Sequence, residues 1–198
     1  YFLSDYDGLY WLYARSFFLE SYPLSDKLIM AKDYFLTELD RNKFDRELNT
    51  QTLLALTLNR FGHEQKAKDL IFSIKDRAVE SDEMGMYWKE NVSGYRWFEA
   101  PVETQALLIE AFDEITPKDI ESVESMKVWL LKNKQTNQWN STKATTEAVY
   151  ALMNTGKDWT NAEDGIKVKV GNNIWYDANT KPSTDVQSGS GYVKESWS

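Results

Sequence analysis

Cysteine is absent from this chain of 198 residues, and histidine occurs once. Without cysteine the chain forms no disulfide, thiolate nucleophile or cysteine metal site. A single imidazole cannot build a histidine metal cluster. We therefore expect no metal, no cofactor and no catalytic residue in this chain. His63 lies between Gly62 and Glu64 and is expected to serve a tight turn or a helix cap.

A basic excess and long apolar runs are missing as well. The net charge of −8 argues against nucleic acid as a partner, because a phosphate backbone requires a basic face. No apolar run reaches the length of a membrane span, and no signal peptide is visible. The chain begins at Tyr1 rather than at methionine, so we expect a piece of a longer protein or a processed product.

Apolar residues recur with helical spacing along most of the chain and predict a mainly α fold. Helix one is apolar nearly all round, and such a helix is usually buried. Helix three is broadly apolar while helix four is amphipathic, which places three inside and four outside. The predicted helices cover residues 7–22, 25–39, 48–61, 64–78, 106–115, 116–134 and 141–154, with Gly62 as a C-cap and with Thr116 and Pro117 as N-cap and first helical residue.

A short pattern recurs at the start of three of these helices. Aligning Thr50-Gln51, Thr104-Gln105 and Thr146-Glu147 gives spacings of 54 and 42 residues. Such irregular self-similarity predicts stacked helical hairpins, none of which can bury its apolar face alone. Residues 81–100 form a long linker with five aromatic residues, which is expected to fold over one end of the helices.

The pattern changes after Gly156. Residues 165–171 alternate apolar and polar side chains, residues 174–176 predict a return strand, and residues 192–197 predict a further strand. We expect a helical domain over residues 1–158 and a short, incomplete β segment over residues 159–198, too short to bury a core of its own.

The sequence resembles the alpha-2-macroglobulin family, especially its bacterial members. The helical part is similar to the later portion of the α/α toroid of the thioester domain, and the β segment to the strands that resume after it. The resemblance spans nearly the whole chain and is most specific in two segments. The residues that carry it are Trp88-Lys89, Tyr95-Arg96-Trp97, residues 102–107, residues 135–152, Val168-Lys169-Val170 and residues 189–197.

The resemblance implies a non-catalytic piece of a large protein that traps proteases. In that family a protease cuts a bait segment, the molecule rearranges, and the protease is enclosed. Many members also carry a Cys–Gln thioester, which this cysteine-free chain does not contain. The implied partners are proteases, acting through the parent, and the neighbouring domains of the parent. The implied location is the periplasm or the cell envelope, and no functional residue of the family maps onto this chain.

Two alternatives remain open at this stage. Glu99, Glu103 and Glu147 lie near helix starts, and a toroid would gather them close to Trp88, Trp97 and Trp139. Two carboxylates flanked by aromatic rings are typical of a carbohydrate-active enzyme. Acidic residues also suit helix N-termini for purely structural reasons, and we favour that interpretation. The second alternative is a helical-repeat module that binds another protein.

Seven helices are too few to close a toroid of paired inner and outer helices. We therefore expect helices one and seven to border open flanks with exposed apolar surface, which on soluble proteins usually marks a contact. Helices supplied by the upstream part of the parent are expected to cover both flanks.

Overall fold

The structure, a computed structural model, describes residues 5–94, 100–134, 139–155, 167–170 and 173–177. The chain divides into two compact units, Tyr1–Thr155 and Gly156–Ser198. The described residues of the first unit are mainly helical, as predicted. They form the helices α1 Asp5–Ser16, α2 Asp26–Arg41, α3 Leu48–Arg60, α4 Glu64–Lys75, α5 Pro101–Ile115, α6 Ile120–Lys132 and α7 Thr142–Asn154, and the strands β1 Val79–Ser81 and β2 Gly85–Tyr87.

The odd-numbered helices form a row in sequence order, α1 against α3, α3 against α5 and α5 against α7. Behind this row, α4 packs on α3 and α5, and α6 packs on α5 and β2. At the helix starts, Tyr6 donates a hydrogen bond to Asn49 (3.1 Å), which donates to Thr104 (3.1 Å). At the helix ends, Arg60 donates to Glu114 (2.9 Å). Because start meets start and end meets end, α1, α3 and α5 run parallel.

Burial separates the row from the layer behind it. Every residue of α3 from Thr50 to Leu58 is buried. In α4 only the stripe Ala67, Leu70, Ile71 and Ile74 is buried, and the rest of the helix faces solvent. The prediction that helix three lies inside and helix four outside is confirmed.

Helix one differs from its prediction. It ends at Ser16, and only Leu9 and Leu12 are buried. Within the helix, Tyr10 is 40% exposed and Trp11 is 48% exposed, so the helix is not enclosed on all sides. A helix that is apolar all round is fully buried only if other elements pack on each of its sides. Helix α1 stands at the edge of the row, so one of its sides has no neighbouring helix of the row. The expectation of an exposed apolar flank at helix one is confirmed.

The predicted C-cap at Gly62 and the predicted start of helix seven are both confirmed. Gly62 has a positive φ of 85° and follows α3. The amide of Gly62 bonds to Asn59 O (3.0 Å) and that of His63 to Leu58 O (2.8 Å), which together form a Schellman C-cap. At the start of α7, Ser141 Oγ accepts a hydrogen bond from the amide of Ala144 (3.0 Å), as an N-cap does.

Three other helix starts were predicted wrongly or incompletely. Helix α5 begins at Pro101 rather than at Ala106, with the proline in its first turn. Helix α6 begins at Ile120, so Thr116 and Pro117 do not open it. Thr116 instead closes α5, since its hydroxyl donates to Phe112 O (2.9 Å). Ser25 precedes α2, but its side chain makes no capping bond.

The aromatic linker contains a β-hairpin that the sequence analysis missed. Strands β1 and β2 pair antiparallel, with Glu80 opposite Met86. Gly85, at a positive φ of 72°, lets the hairpin lie against α6, because a Cβ there would stand 2.1 Å from Ser125 O. Only glycine fits this close approach. The hairpin thus fastens the linker to the outer layer.

In the second unit the structure describes two strands, β3 Lys167–Val170 and β4 Asn173–Asp177. They pair antiparallel, with an irregularity between Val168 and Lys169. Both strands were predicted from the alternating pattern and the turn between them. The strand predicted over residues 192–197 lies outside the described residues.

Candidate functional site

The row of parallel helices carries a polar cluster where apolar packing would be expected. Its members come from all four helices and are called here the inner cluster: Tyr13, Arg60, Glu110, Glu114, Glu147 and Tyr150. On α5, Glu103, Glu110 and Glu114 share one side of the helix, because they are seven and four residues apart. This acidic stripe is the core of the candidate site.

Glu110 occupies the centre of the cluster and is only 5% exposed. The hydroxyl of Tyr13 donates to both of its carboxylate oxygens, at 3.0 and 2.9 Å. Arg60 Nη2 donates to Oε1 at 2.6 Å. A buried charge is tolerated only when it is paired and hydrogen-bonded, and both conditions are met here. Glu110 therefore joins α5 to α1 and α3.

Arg60 is the cation that compensates the acidic stripe. Its Nε and Nη2 donate to Glu114 Oε2 at 2.9 and 2.7 Å. The guanidinium also lies over the rings of Tyr13, at 5.0 Å, and Phe17, at 4.2 Å. Burial by itself lowers the pKa of Arg60, but Glu114 and Glu110 outweigh it and raise this pKa. Arg60 is therefore a permanent cation bound on several sides.

The tyrosines of the cluster are held in their neutral form. Burial, followed by the charge and hydrogen bond of Glu110, raises the pKa of Tyr13. Burial and the charge of Glu110 likewise raise the pKa of Tyr150, although Arg60 opposes the shift. A phenol with a raised pKa donates hydrogen bonds but is a poor base at neutral pH. Tyr13 thus acts as a donor to the carboxylate of Glu110.

Glu147 is the predicted acidic residue that the structure brings into this cluster. It is half-buried, and burial raises its pKa. The neighbouring charges of Glu110 and Glu103 raise it further, while Lys143 lowers it. Glu103 and Glu147 therefore lie within electrostatic reach of each other, as the carbohydrate alternative required. The third candidate, Glu99, lies outside the described residues.

The tryptophans proposed for a sugar cleft do not offer open ring faces where they are described. Trp88 is 2% exposed, and its indole N–H donates to Ile74 O at 2.8 Å. Trp139 is 6% exposed, and its indole N–H donates to Leu130 O at 3.1 Å. Each tryptophan thus caps the carbonyl end of an outer helix, α4 or α6. Trp97 lies outside the described residues.

His63 lies at the start of α4 and is not a member of the inner cluster. It precedes α4 in the N-cap position and makes no side-chain capping bond. Together with Asp33, Thr37 and Lys66 it lines a cavity of about 190 Å³. Among the residues that the structure describes, no three or more histidine, cysteine, aspartate or glutamate side chains are placed so that they could hold a metal ion.

The repeat alignment is confirmed for the first two copies and wrong for the third. Gln51 and Gln105 are both buried, and each donates to a backbone carbonyl of the connection behind it, Phe44 O at 2.8 Å and Met86 O at 2.9 Å. Glu147 is only half-buried and faces the inner cluster. The buried residue at the Thr104 position of α7 is Ala144, so the spacing there is 40 residues rather than 42.

The sequence analysis did not single out the central pair, Arg60 and Glu110. A signal was present, because Glu110 is a charged residue in the middle of an apolar helix with Glu114 four residues further on. Such a residue has to find a buried partner. The partner, fifty residues earlier in the chain, became identifiable only once α3 and α5 were known to be neighbours.

Comparison with known proteins adds no further information. No protein-family model, curated protein or solved structure matches the chain. Among the described residues, no helix has the length and apolar character needed to cross a membrane. The site is therefore defined by its own geometry: an arginine, two carboxylates and a tyrosine bind one another and join three helices.

Proposed function

We propose that this chain is a non-catalytic piece of a larger alpha-2-macroglobulin-like protein and contributes to protease inhibition by that parent. In this proposal the first unit is part of an α/α toroid and the second unit begins the following β region. The observation that carries the proposal is the row of parallel helices backed by an outer layer. The sequence resemblance supports the proposal as well, because it implies a toroid of inner and outer helices.

A non-catalytic role is supported by the chemistry of the inner cluster. Glu110 and Glu114 are bound by Arg60, and the donor Tyr13 is neutral. A hydrolytic site needs a nucleophile or water activated by a group that is free to accept a proton. The central groups of this cluster are instead bound to one another, which suits the role of a rigid joint between helices.

The parent implied by the resemblance acts in the periplasm or at the cell envelope, with proteases as its targets. The domains before and after this chain are its expected partners, and helices of the preceding domain are expected to cover the flanks of α1 and α7. A thioester, if the parent has one, lies in another part of it, because this chain lacks cysteine.

The test uses the natural full-length protein, isolated with antibodies raised against this chain and mixed with trypsin. An enclosed protease still admits a small peptide but not a large protein substrate. We therefore expect cleavage of the protein substrate to fall at least tenfold while cleavage of a chromogenic peptide is retained. Equal cleavage of the protein substrate with and without the parent would contradict the proposal.

The control for this test is trypsin that has been chemically inactivated beforehand. Inactive trypsin cannot cut a bait segment, so the parent should remain able to protect against active trypsin added afterwards. If inactive trypsin exhausts the inhibition, the parent acts by simple binding, and the trapping mechanism is wrong.

A second candidate function is a carbohydrate-active enzyme, and one observation favours it. Glu103 and Glu147 are electrostatically coupled, and the raised pKa of Glu147 is typical of a general acid. We nevertheless expect no sugar release by this chain, because Trp88 and Trp139 are buried. Release of reducing sugar from a polysaccharide panel that is lost in Glu103→Gln and in Glu147→Gln would establish the enzyme instead.

A further inference from the structure

The protein has a cavity of about 190 Å³ between α2, the end of α3 and the start of α4. Its lining consists of Asp33, Leu36 and Thr37 from α2, Leu58 from α3, and His63 and Lys66 at the start of α4. An engineered apolar cavity of about 150 Å³ holds benzene. By that comparison, this cavity has room for a ligand of about eight non-hydrogen atoms.

Apolar and polar groups share the lining of the cavity. Leu36 and Leu58 are 2% and 1% exposed and form its apolar part. Asp33 and Thr37 are exposed to solvent, so the cavity is open at α2. Small-molecule sites combine an apolar surface with a few polar groups that fix the orientation of the ligand. The charges of the polar groups therefore decide which class of ligand fits.

Asp33 and Thr37, called here the acidic end, can bind an ammonium group. They lie four residues apart on α2 and are neighbours on one side of that helix. Thr37 Oγ1 donates to the backbone oxygen of Asp33 at 2.7 Å, and its lone pairs remain able to accept a hydrogen bond. Asp33 Oδ1 pairs with Lys32 at 2.5 Å. A carboxylate has about four acceptor positions, so Asp33 keeps room for a second ammonium group.

Lys66 and His63, called here the basic end, can bind a carboxylate. Lys66 Nζ pairs with Asp40 Oδ2 at 2.8 Å, but an ammonium group has three donors. Asp40 is also bound by Lys43 at 2.8 Å, so it keeps a cation when Lys66 turns toward a ligand. His63 precedes α4, and its side chain makes no capping bond there. The imidazole is thus not used by the helix start, and its N–H can donate to a ligand.

We propose that this cavity binds a free α-amino acid with a short aliphatic side chain. Its ammonium group lies at the acidic end, its carboxylate at the basic end, and its side chain against Leu36 and Leu58. A zwitterion matches both signs of charge, whereas a simple anion or cation leaves one end without a partner. The inference depends on the lining of the cavity and not on the proposed function. A protein that lacks protease-trapping activity would still bind the amino acid.

The test compares valine with two analogues by saturation-transfer-difference NMR on the full chain of 198 residues. Isovalerate is valine without its ammonium group, and isobutylamine is valine without its carboxylate. We expect valine to reach half-saturation on the order of 1 mM, as suits so small a ligand. Each analogue should bind at least tenfold more weakly, because it loses a charged hydrogen-bond partner. Valine that does not saturate, or that binds no better than isovalerate or isobutylamine, would overturn the proposal.

Two variants assign the ends of the ligand to the ends of the cavity. Asp33→Asn should weaken valine at least tenfold and leave isovalerate unchanged, because isovalerate has no ammonium group to lose. Lys66→Met should weaken valine to the same extent and leave isobutylamine unchanged. Thr37→Phe keeps both charges but fills the cavity, so it should abolish the binding of valine. Unchanged valine binding in any of these variants would contradict the proposed pose.

Lys68→Met is the matched control, because Lys68 is also on α4 but does not line the cavity. This variant should bind valine like the unaltered chain. Circular dichroism and the unfolding midpoint check that each variant folds, and Lys66→Gln replaces Lys66→Met if the latter unfolds. Equal weakening of valine in Lys68→Met and Lys66→Met would show that only the general charge of the surface matters, and would overturn the site.

Discussion

At the scale of single residues, Trp139 shows how one side chain closes a helical hairpin. It is 6% exposed and caps α6 through Leu130 O. We expect Trp139→Ala to lower the free energy of unfolding by about 3–5 kcal/mol, because a large cavity forms and a hydrogen bond is lost. Trp11→Ala, at the exposed edge of α1, is the control and should cost less than about 1 kcal/mol. Denaturant unfolding measures the free energy of unfolding of both variants. An unchanged unfolding midpoint for Trp139→Ala, together with weaker glycan binding, would favour the sugar-cleft alternative.

Arg60 stabilises the fold through its charge, whereas Trp139 does so through its volume. We expect Arg60→Met to cost about 3–5 kcal/mol, since it leaves the buried Glu110 without its cation. The double variant Arg60→Met/Glu110→Leu should be more stable than the sum of the two single effects predicts. The control is Arg41→Met, which breaks an exposed pair with Glu38 and should cost less than about 0.5 kcal/mol. Additive effects of Arg60 and Glu110 would show that the bond does not join the helices energetically.

Glu147 is expected to make the stability of the fold depend on pH. Its pKa in the folded state is raised by burial and by Glu110 and Glu103, so folding favours the protonated side chain. The associated stabilisation is present below the unfolded pKa and is lost as the pH rises through the folded pKa. Glu147→Gln should therefore melt at a higher temperature than the unaltered chain near about pH 7, with a difference that shrinks toward about pH 4. A difference that grows on acidification, or an equal one in the exposed control Glu83→Gln, would contradict this reasoning.

At the scale of elements, the packing of the β-hairpin against α6 predicts different costs for alanine substitutions at two glycines. Gly62 and Gly85 both have positive φ, but an added Cβ meets nothing within 4 Å at Gly62, whereas at Gly85 it meets Ser125 O at 2.1 Å. We expect Gly62→Ala to cost about 1–2 kcal/mol from backbone strain alone. Gly85→Ala should cost clearly more, because the hairpin must also move away from α6. Equal costs in thermal unfolding would mean that the hairpin does not depend on this close approach.

The bounds of the helices and strands can be compared with those predicted from the sequence. Helices α3 and α7 were predicted within one residue at each end, because apolar periodicity and the end signals at Gly62 and Ser141 agree there. Helix α4 begins where predicted but ends at Lys75, three residues earlier than predicted. The start of helix α6 was predicted four residues too early. Thr116 and Pro117 have the pattern of a helix start, but Thr116 in fact closes α5. The hairpin β1–β2 was missed because its strands are three residues long, and its reason to form is a tertiary contact with α6.

The candidate site was predictable only in part, for the same reason. Acidic residues near helix starts led to Glu103 and Glu147, which the structure brings into electrostatic contact. The pairing of Arg60 with Glu110 depends on which helices are neighbours and in which register. A sequence pattern gives the side of one helix, but it does not give the residue that faces it across the interface.

At the scale of the whole molecule, the odd-numbered helices form a row. The expectation of open flanks at α1 and α7 is met by the exposed Trp11 of α1, by Phe18 just after that helix, and by Val149 and Met153 of α7. Exposed apolar surface of this kind usually marks a contact on soluble proteins. We propose that helices from the upstream part of the parent cover the flanks of both α1 and α7.

The most direct measurement compares this chain with a longer one that adds about 100 residues from upstream of Tyr1 in the parent, enough for a further set of hairpins. Light scattering and denaturant unfolding are recorded for both over a range of concentrations. The account predicts that the short chain associates and unfolds at low denaturant, and that the longer chain is less associated and unfolds at a clearly higher midpoint. A short chain that is a stable monomer, with an unfolding midpoint unaffected by the added residues, would contradict the partial toroid.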